Sequence, residues 1–282
     1  MRAAEPPPFE INMDRVEIGH KSEFAASKTY FIPTVYLRIA AKYVTSIKNK
    51  NASAKAKIYV GGLDKAMLQG LARQVYDDLV AKVRAAGFTV LTYDDLKADL
   101  VGLDRMQPNP KFGFPTKFFT IGSPIDYAIV TPSDEQTIDW GASWPTTPYQ
   151  KIAKGKNVVV LVPEVYFNLP EVLATKGSNS MFDSAGLSFL PTMKLYSGMV
   201  WGLPPNLGGP SIIVREHGKR LAAEVVGSMK KVSEQNNKYG DWSQFVGDYD
   251  FILDPPAFST GVLRVCYALN DLTVKTIKGA QH

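Results

Sequence analysis

Residues 35–42, Val35-Tyr36-Leu37-Arg38-Ile39-Ala40-Ala41-Lys42, open the stretch that decides the fold. Val35, Leu37, Ile39 and Ala41 fall on one side of an extended chain and Tyr36, Arg38, Ala40 and Lys42 on the other. This is the period of two that gives a strand one buried and one wet face. The extended segment spans 30–47, and the polar cluster Ile47-Lys48-Asn49-Lys50-Asn51-Ala52-Ser53 supplies turn chemistry after it. Residues 54–60 then read as the return strand of a long N-terminal β-hairpin. Gly61-Gly62-Leu63 breaks that strand and Asp64 is placed to cap a helix. Leu68, Leu71, Ala72, Val75, Leu79, Val83 and Ala86 recur at helical spacing until Gly87. Phe88-Thr89-Val90-Leu91 forms the next strand, so the helix is expected to lie across a sheet.

Working outward, Arg15 to Ile18 predicts a short strand behind a proline-rich leader over 1–10, and Asp94 and Asp95 predict the cap of a short helix through Leu103. Residues 107–115 read as a loop, 125–130 as a strand and 139–149 as an aromatic loop. The unbroken apolar run 158–162 has the signature of a central strand covered on both faces. Residues 169–182 read as a loop or short helix, 193–200 as a strand and 202–210 as a rigid turn. A second amphipathic helix is expected over 218–235, with Leu221, Ala222, Val225, Val226 and Met229 on one side. The tail reads as two strands, 262–269 and 272–277, joined by Asn270-Asp271. The expected architecture is therefore α/β (α+β): a mixed β-sheet with a long N-terminal hairpin, packed by two main amphipathic helices in a single domain over 1–282.

Composition narrows the function classes. With 45% hydrophobic and 21% charged residues the chain has the make-up of a globular domain. The formal charge of +5 comes from 32 basic against 27 acidic residues spread thinly, without the clustered stripe that nucleic acid requires. No nucleic-acid partner is expected. Cys266 is the one cysteine and sits between Val265 and Tyr267, which points to a buried small hydrophobe rather than a nucleophile. With His20, His217 and His282 scattered, no metal site or cofactor is expected. No apolar run approaches the ~18 residues a transmembrane helix needs, and the polar, proline-rich start resembles that of an exported protein. The expected location is periplasmic or outer-membrane-associated.

Candidate chemistry is sparse. Gly61 and Gly62 before a helix start could hold an anion, yet Asp64 puts a negative charge where it would sit. Asp77 and Asp78 point to different sides of their helix. Asp248 and Asp250 alternate onto one side of an extended segment without the loop of a calcium site. Glu216, His217 and Asp250 would be the parts of a hydrolase, but no Gly-x-Ser-x-Gly elbow accompanies them. The aromatic loops hold the remaining candidates, Trp140, Trp144, Tyr149, Tyr196 and Trp201, residue types favoured at interfaces and ligand-contact patches.

With the hairpin, the Gly61-Gly62 turn and the helix in place, residues 54–91 resemble the α/β domain of the curli secretion channel (CsgG-like) and TolB N-terminal-like envelope proteins. The likeness lies in a capped helix over 66–86 with Tyr76 and Asp77, followed by Ala86-Gly87-Phe88 and a strand. The resemblance implies a non-catalytic cell-envelope protein that assembles through sheet edges and helices, as a homo-oligomer or with envelope partners. No cysteine stands near the start, and Arg38, Lys42 and Lys48 occupy the hairpin where membrane strands would be apolar. A lipidated, pore-forming member is therefore not expected. The alternatives are a periplasmic binding module for a small or lipidic ligand, with Trp140, Trp144 and Trp201 as lining, and a hydrolase.

Overall fold

The structure, a computed structural model, describes residues 8–48, 52–119, 125–139, 147–179, 182–206, 209–216, 219–240 and 242–281. In chain order it comprises β1 (Val16–Gly19), β2 (Thr29–Ile32), β3 (Tyr36–Lys48), β4 (Ala52–Gly61), α1 (Lys65–Ala85), β5 (Thr89–Thr92), β6 (Thr116–Phe119) and β7 (Ile125–Val130). There follow α2 (Pro148–Lys156), β8 (Val159–Asn168), β9 (Glu171–Asn179), β10 (Phe182–Leu190), β11 (Thr192–Leu203), β12 (Ser211–Val214), β13 (Lys219–Val225), β14 (Gly227–Tyr239), β15 (Trp242–Leu253) and α3 (Pro255–Ala280). Thirteen of these strands form one mixed sheet whose main path runs β1-β12-β11-β8-β3-β4-β15-β14, and β9 and β10 form a separate two-stranded sheet.

The centre of the sheet follows from the apolar runs. β8 is buried along nearly its whole length and lies parallel to β2 and β3 and antiparallel to β11. Its alternate residues feed two cores. Val159, Leu161, Val165 and Phe167 join Leu37 and Ile39 with α1 and α3 on one side. Val160 and Val162 join Tyr36, Phe31, Tyr149 and Ile152 on the side of α2. β3 and β4 pair antiparallel, Lys42 opposite Tyr59 and Lys48 opposite Ser53. They are not a free-standing ribbon: the first half of β3 also pairs with β7 and β8, and the strand begins at Tyr36 rather than Tyr30.

α1 forms where its spacing predicts. Asp64 accepts a hydrogen bond from the Met67 N–H at 2.7 Å, and Leu68, Leu71, Ala72, Val75, Leu79 and Val83 are buried. Gly62 has φ +80°, the left-handed conformation that lets the chain turn from β4 into the cap.

The chain beyond β8 corrects three expectations. Residues 219–239 are the strands β13 and β14, not a helix. The spacing of Leu221, Val225, Val226 and Met229 suits two strands meeting at Val226 as well as it suits a helix, and main-chain pairing of β14 along β15 decides between them. Gly227 belongs to that pairing, since a Cβ there would stand 2.7 Å from the Phe251 ring. Lys230 and Lys231 accordingly lie on a strand. The tail, expected as two strands, is the 26-residue helix α3. Asp254 caps it by accepting from the Ala257 N–H, and Pro255 and Pro256 occupy the first turn, where no N–H is needed. Asn270 makes no turn: its amide donates to the Val75 carbonyl and the Asp78 carboxylate, which locks α3 to α1. Finally, residues 171–190 form the β9–β10 hairpin where a loop or short helix is expected, with Glu171 opposite Leu190 and Asn179 opposite Phe182. Its glycine, serine and asparagine read as loop, but main-chain ladder bonds do not depend on side-chain type.

Candidate assembly surfaces

Two β-ribbons extend from the helix-covered part of the sheet. β9–β10 is bounded by Glu171, which is 4% exposed. The carboxylate is held by the Arg220 guanidinium and by Lys194 at 2.7 Å, and the Thr192 hydroxyl also donates to it. The hydrogen bond from Arg220, with Lys194 beside it, lowers the Glu171 pKa to about 2 against the cost of burial. Further along, the Phe189 ring packs on Tyr249 with centroids 4.7 Å apart, so β10 rests on β15 as well as on β4.

The second ribbon, β14–β15, ends the sheet. β15 runs parallel to β4 from Ser243 to Ile252, whereas β14 pairs with β15 alone among the described strands. Its outer row of N–H and C=O groups is thus unpaired along a 13-residue strand, the kind of edge that templates pairing with another chain. The opposite end of the sheet, β1, offers a 4-residue edge. β14 divides in two. A bulge between Lys231 and Ser233 and the exposed pair Lys230 and Lys231 guard its first part, devices that twist or charge an edge against pairing. Residues 233–239 continue in unbroken register from Ser233 opposite Asp248 to Tyr239 opposite Trp242. Val232, Tyr239 and Ile252 on this ribbon are three of the seven exposed large apolar side chains among the described residues, and Val225, at the end of β13 just before it in the chain, is a fourth.

The aromatic candidates separate. Trp140 and Trp144 lie outside the described residues. Tyr149, expected as a contact, is fully buried on α2: its ring meets Phe31 edge-on at 6.5 Å and its hydroxyl stands 3.3 Å from that of Tyr36. The loop that was to display it ends instead in a helix capped by Thr147, whose side chain accepts from the Gln150 N–H. Tyr196 is half-buried with its ring edge-on to Tyr166, and Trp201 is half-buried against the α2-side core. Beyond Gly61 and Gly62, the helix start is already occupied by the Asp64 carboxylate. His217 lies outside the described residues, and the Glu216 carboxylate accepts from the Asn12 N–H at 2.8 Å and faces Lys219 at 3.5 Å.

Two sites escaped the sequence. Arg38 and Glu164, 4% and 5% exposed, form an ion pair with Nη2–Oε1 at 2.8 Å and Nε–Oε2 at 3.3 Å. The Tyr166 hydroxyl donates to Glu164, and the guanidinium lies over the Tyr166 and Tyr36 rings. Burial works against the Arg38 charge, yet Glu164 beside it holds the pKa above its ordinary value. Arg38 is visible in sequence as a charge on a strand, but nothing local names a partner 126 positions away. A pocket of about 200 Å³ lies at the start of α1, with Met106, Phe114 and Ile129 among its walls and Lys65, Gln69 and Asp134 among its polar groups. Asp134 accepts from Lys65 at 2.7 Å and Gln69 at 2.8 Å. Tryptophan does not line it among the described residues.

Among the described residues no cluster of three His, Cys, Asp or Glu is placed to hold a metal ion, and no helix is long and apolar enough to cross a membrane. Compared with known proteins, the chain matches no family model and no curated protein.

Proposed function

We propose that the chain is a non-catalytic cell-envelope protein, periplasmic or outer-membrane-associated, that self-associates edge to edge through β14. The observation that carries this is the unpaired outer edge of β14, which keeps unbroken register over 233–239 with Lys238 as its single lysine, beside exposed Val232 and Tyr239. Main-chain pairing to a second copy would satisfy that row of donors and acceptors and cover apolar surface at the same time. The envelope placement rests on the resemblance of residues 54–91 to CsgG-like and TolB N-terminal-like proteins, and β4, α1 and β5 follow one another in the order that resemblance uses.

Light scattering on the eluting protein tests self-association. A mass above that of one chain, reduced to one chain by Asn236→Lys with Asn237→Lys, supports it; a monomer throughout the micromolar range removes it. A second reading, a binding module for a small ligand, is favoured by the polar-rimmed pocket beside Lys65 and Asp134. A ligand seated there would be lost on Phe114→Trp, which fills the pocket, with the mass unchanged.

A further inference from the structure

The part of the sheet built from the second half of β3 with β4 and β15 is covered on one face only. Ala52, Ala54, Ala56 and Ile58 point inward and are buried, while Ser53, Lys55, Lys57 and Tyr59 alternate to the other face. In register, Lys48 stands opposite Ser53 and Ser46 opposite Lys55, so these residues share the open face. β4 and β15 are parallel, and a parallel pair ordinarily has both faces covered.

The charges on this face are unevenly matched. Lys42 pairs with Asp126 at 3.7 Å, and Tyr59 is overlain by Lys111. Lys48, Lys55 and Lys57 are exposed, and none makes an ion pair among the described residues. Lys57 has Asp248 beside it in register on β15, yet the Asp248 carboxylate turns to β14 and accepts from the Ser233 hydroxyl at 3.2 Å. The three lysines are spread in two dimensions: Lys55 and Lys57 stand about 7 Å apart along β4, and Lys48 lies diagonally across from Lys55, about 8 Å away. A single phosphate would need a pocket that gathers them, and a nucleic-acid strand would need a longer track with free aromatic faces.

We propose that this open face docks on the surface of an anionic phospholipid bilayer, with Lys48, Lys55 and Lys57 meeting the lipid phosphates. A planar array of headgroups is the anion whose spacing a sheet face can meet at several points at once. Each lysine brought to such a surface strengthens partitioning about fivefold, so the three together account for about a hundredfold. The docking face is distinct from the β14 edge, so it stands or falls separately from self-association.

Co-sedimentation of the full chain with vesicles tests it, using phosphatidylcholine alone and phosphatidylcholine mixed with phosphatidylglycerol, at low and high salt. The expected result is binding to the mixed vesicles that salt releases. Lys48→Gln, Lys55→Gln and Lys57→Gln together should weaken it about a hundredfold, while Lys151→Gln with Lys154→Gln on α2 leaves it intact. A matching thermal midpoint shows that the triple variant is folded. No binding, equal binding to neutral vesicles, a triple variant that binds as the parent does, or displacement by millimolar inorganic phosphate each overturns the proposal. So does a preference for duplex DNA over the mixed vesicles.

Discussion

Under α1 and α3 the sheet is sealed on both faces, whereas along β14 and β15 one face and a whole edge stand open. The two regions are built from the same backbone pairing and differ in what the side chains do. Phe258, Cys266 and Leu79 are fully buried in the first, while Val232 and Tyr239 are 58% and 63% exposed in the second. The difference teaches that what holds the fold and what stays exposed are separate here: the helix-covered region holds the core, and the ribbon leaves apolar surface uncovered.

The largest test of that separation is in the sealed region. Phe258→Ala should cost about 3–5 kcal/mol in denaturant unfolding, since it leaves a cavity between α3 and the sheet. Cys266 supplies a readout beside it. Burial pushes that thiol well above its ordinary pKa, so labelling by a thiol reagent should proceed at the rate of global unfolding and accelerate in the variant.

Next comes the ion pair between the two cores. Arg38→Met should cost about 3–5 kcal/mol because it strands Glu164 as a buried, uncompensated charge. Adding Glu164→Leu should return most of that loss, since a buried pair replaced by apolar groups is often neutral. A double variant no more stable than the single one would show that the pair does more than hold the two strands.

The root of the β9–β10 ribbon gives a pH effect of intermediate size. Glu171 has a folded pKa of about 2, below its unfolded value near 4.5. Its stabilisation is therefore fully present above pH ~4.5 and is lost as pH falls through about 2. Half-exposed Arg220 is screened by water, so the contribution is about 2 kcal/mol. The stability difference between the parent and Glu171→Gln, followed by thermal melts from pH 7 to pH 2, should fall to about 0.4 kcal/mol at the acid end of that window.

The smallest effect on stability belongs to the open region. Val232→Lys lies on a bulged, exposed edge and should change monomer stability by less than about 0.5 kcal/mol. A loss of several kcal/mol at this position would place Val232 in a core and erase the contrast.

The legibility of the chain follows the same division. α1 declares itself because its apolar spacing, its Asp64 cap and Gly87 agree, and β8 because a short unbroken run of four valines and a leucine suits a strand covered on both faces. Residues 219–239 mislead because their spacing fits two periods, and the pairing that chooses between them comes from β15. α3 hid behind β-branched residues and Asn270-Asp271, although Asp254-Pro255-Pro256 was a start signal in plain view. Of the candidate contacts, Tyr149 belongs to the core because Thr147 and Pro148 begin a helix where a loop was expected. The open β14 edge was illegible for a simpler reason: an edge exists only once the order of the strands is known.

Hydrogen exchange at two protein concentrations tests the central claim most directly. If β14 pairs with a second copy, alternate amides within 233–239 become protected as concentration rises, and those of β1 do not. Protection at 233–239 that stays constant while the mass increases would contradict the claim.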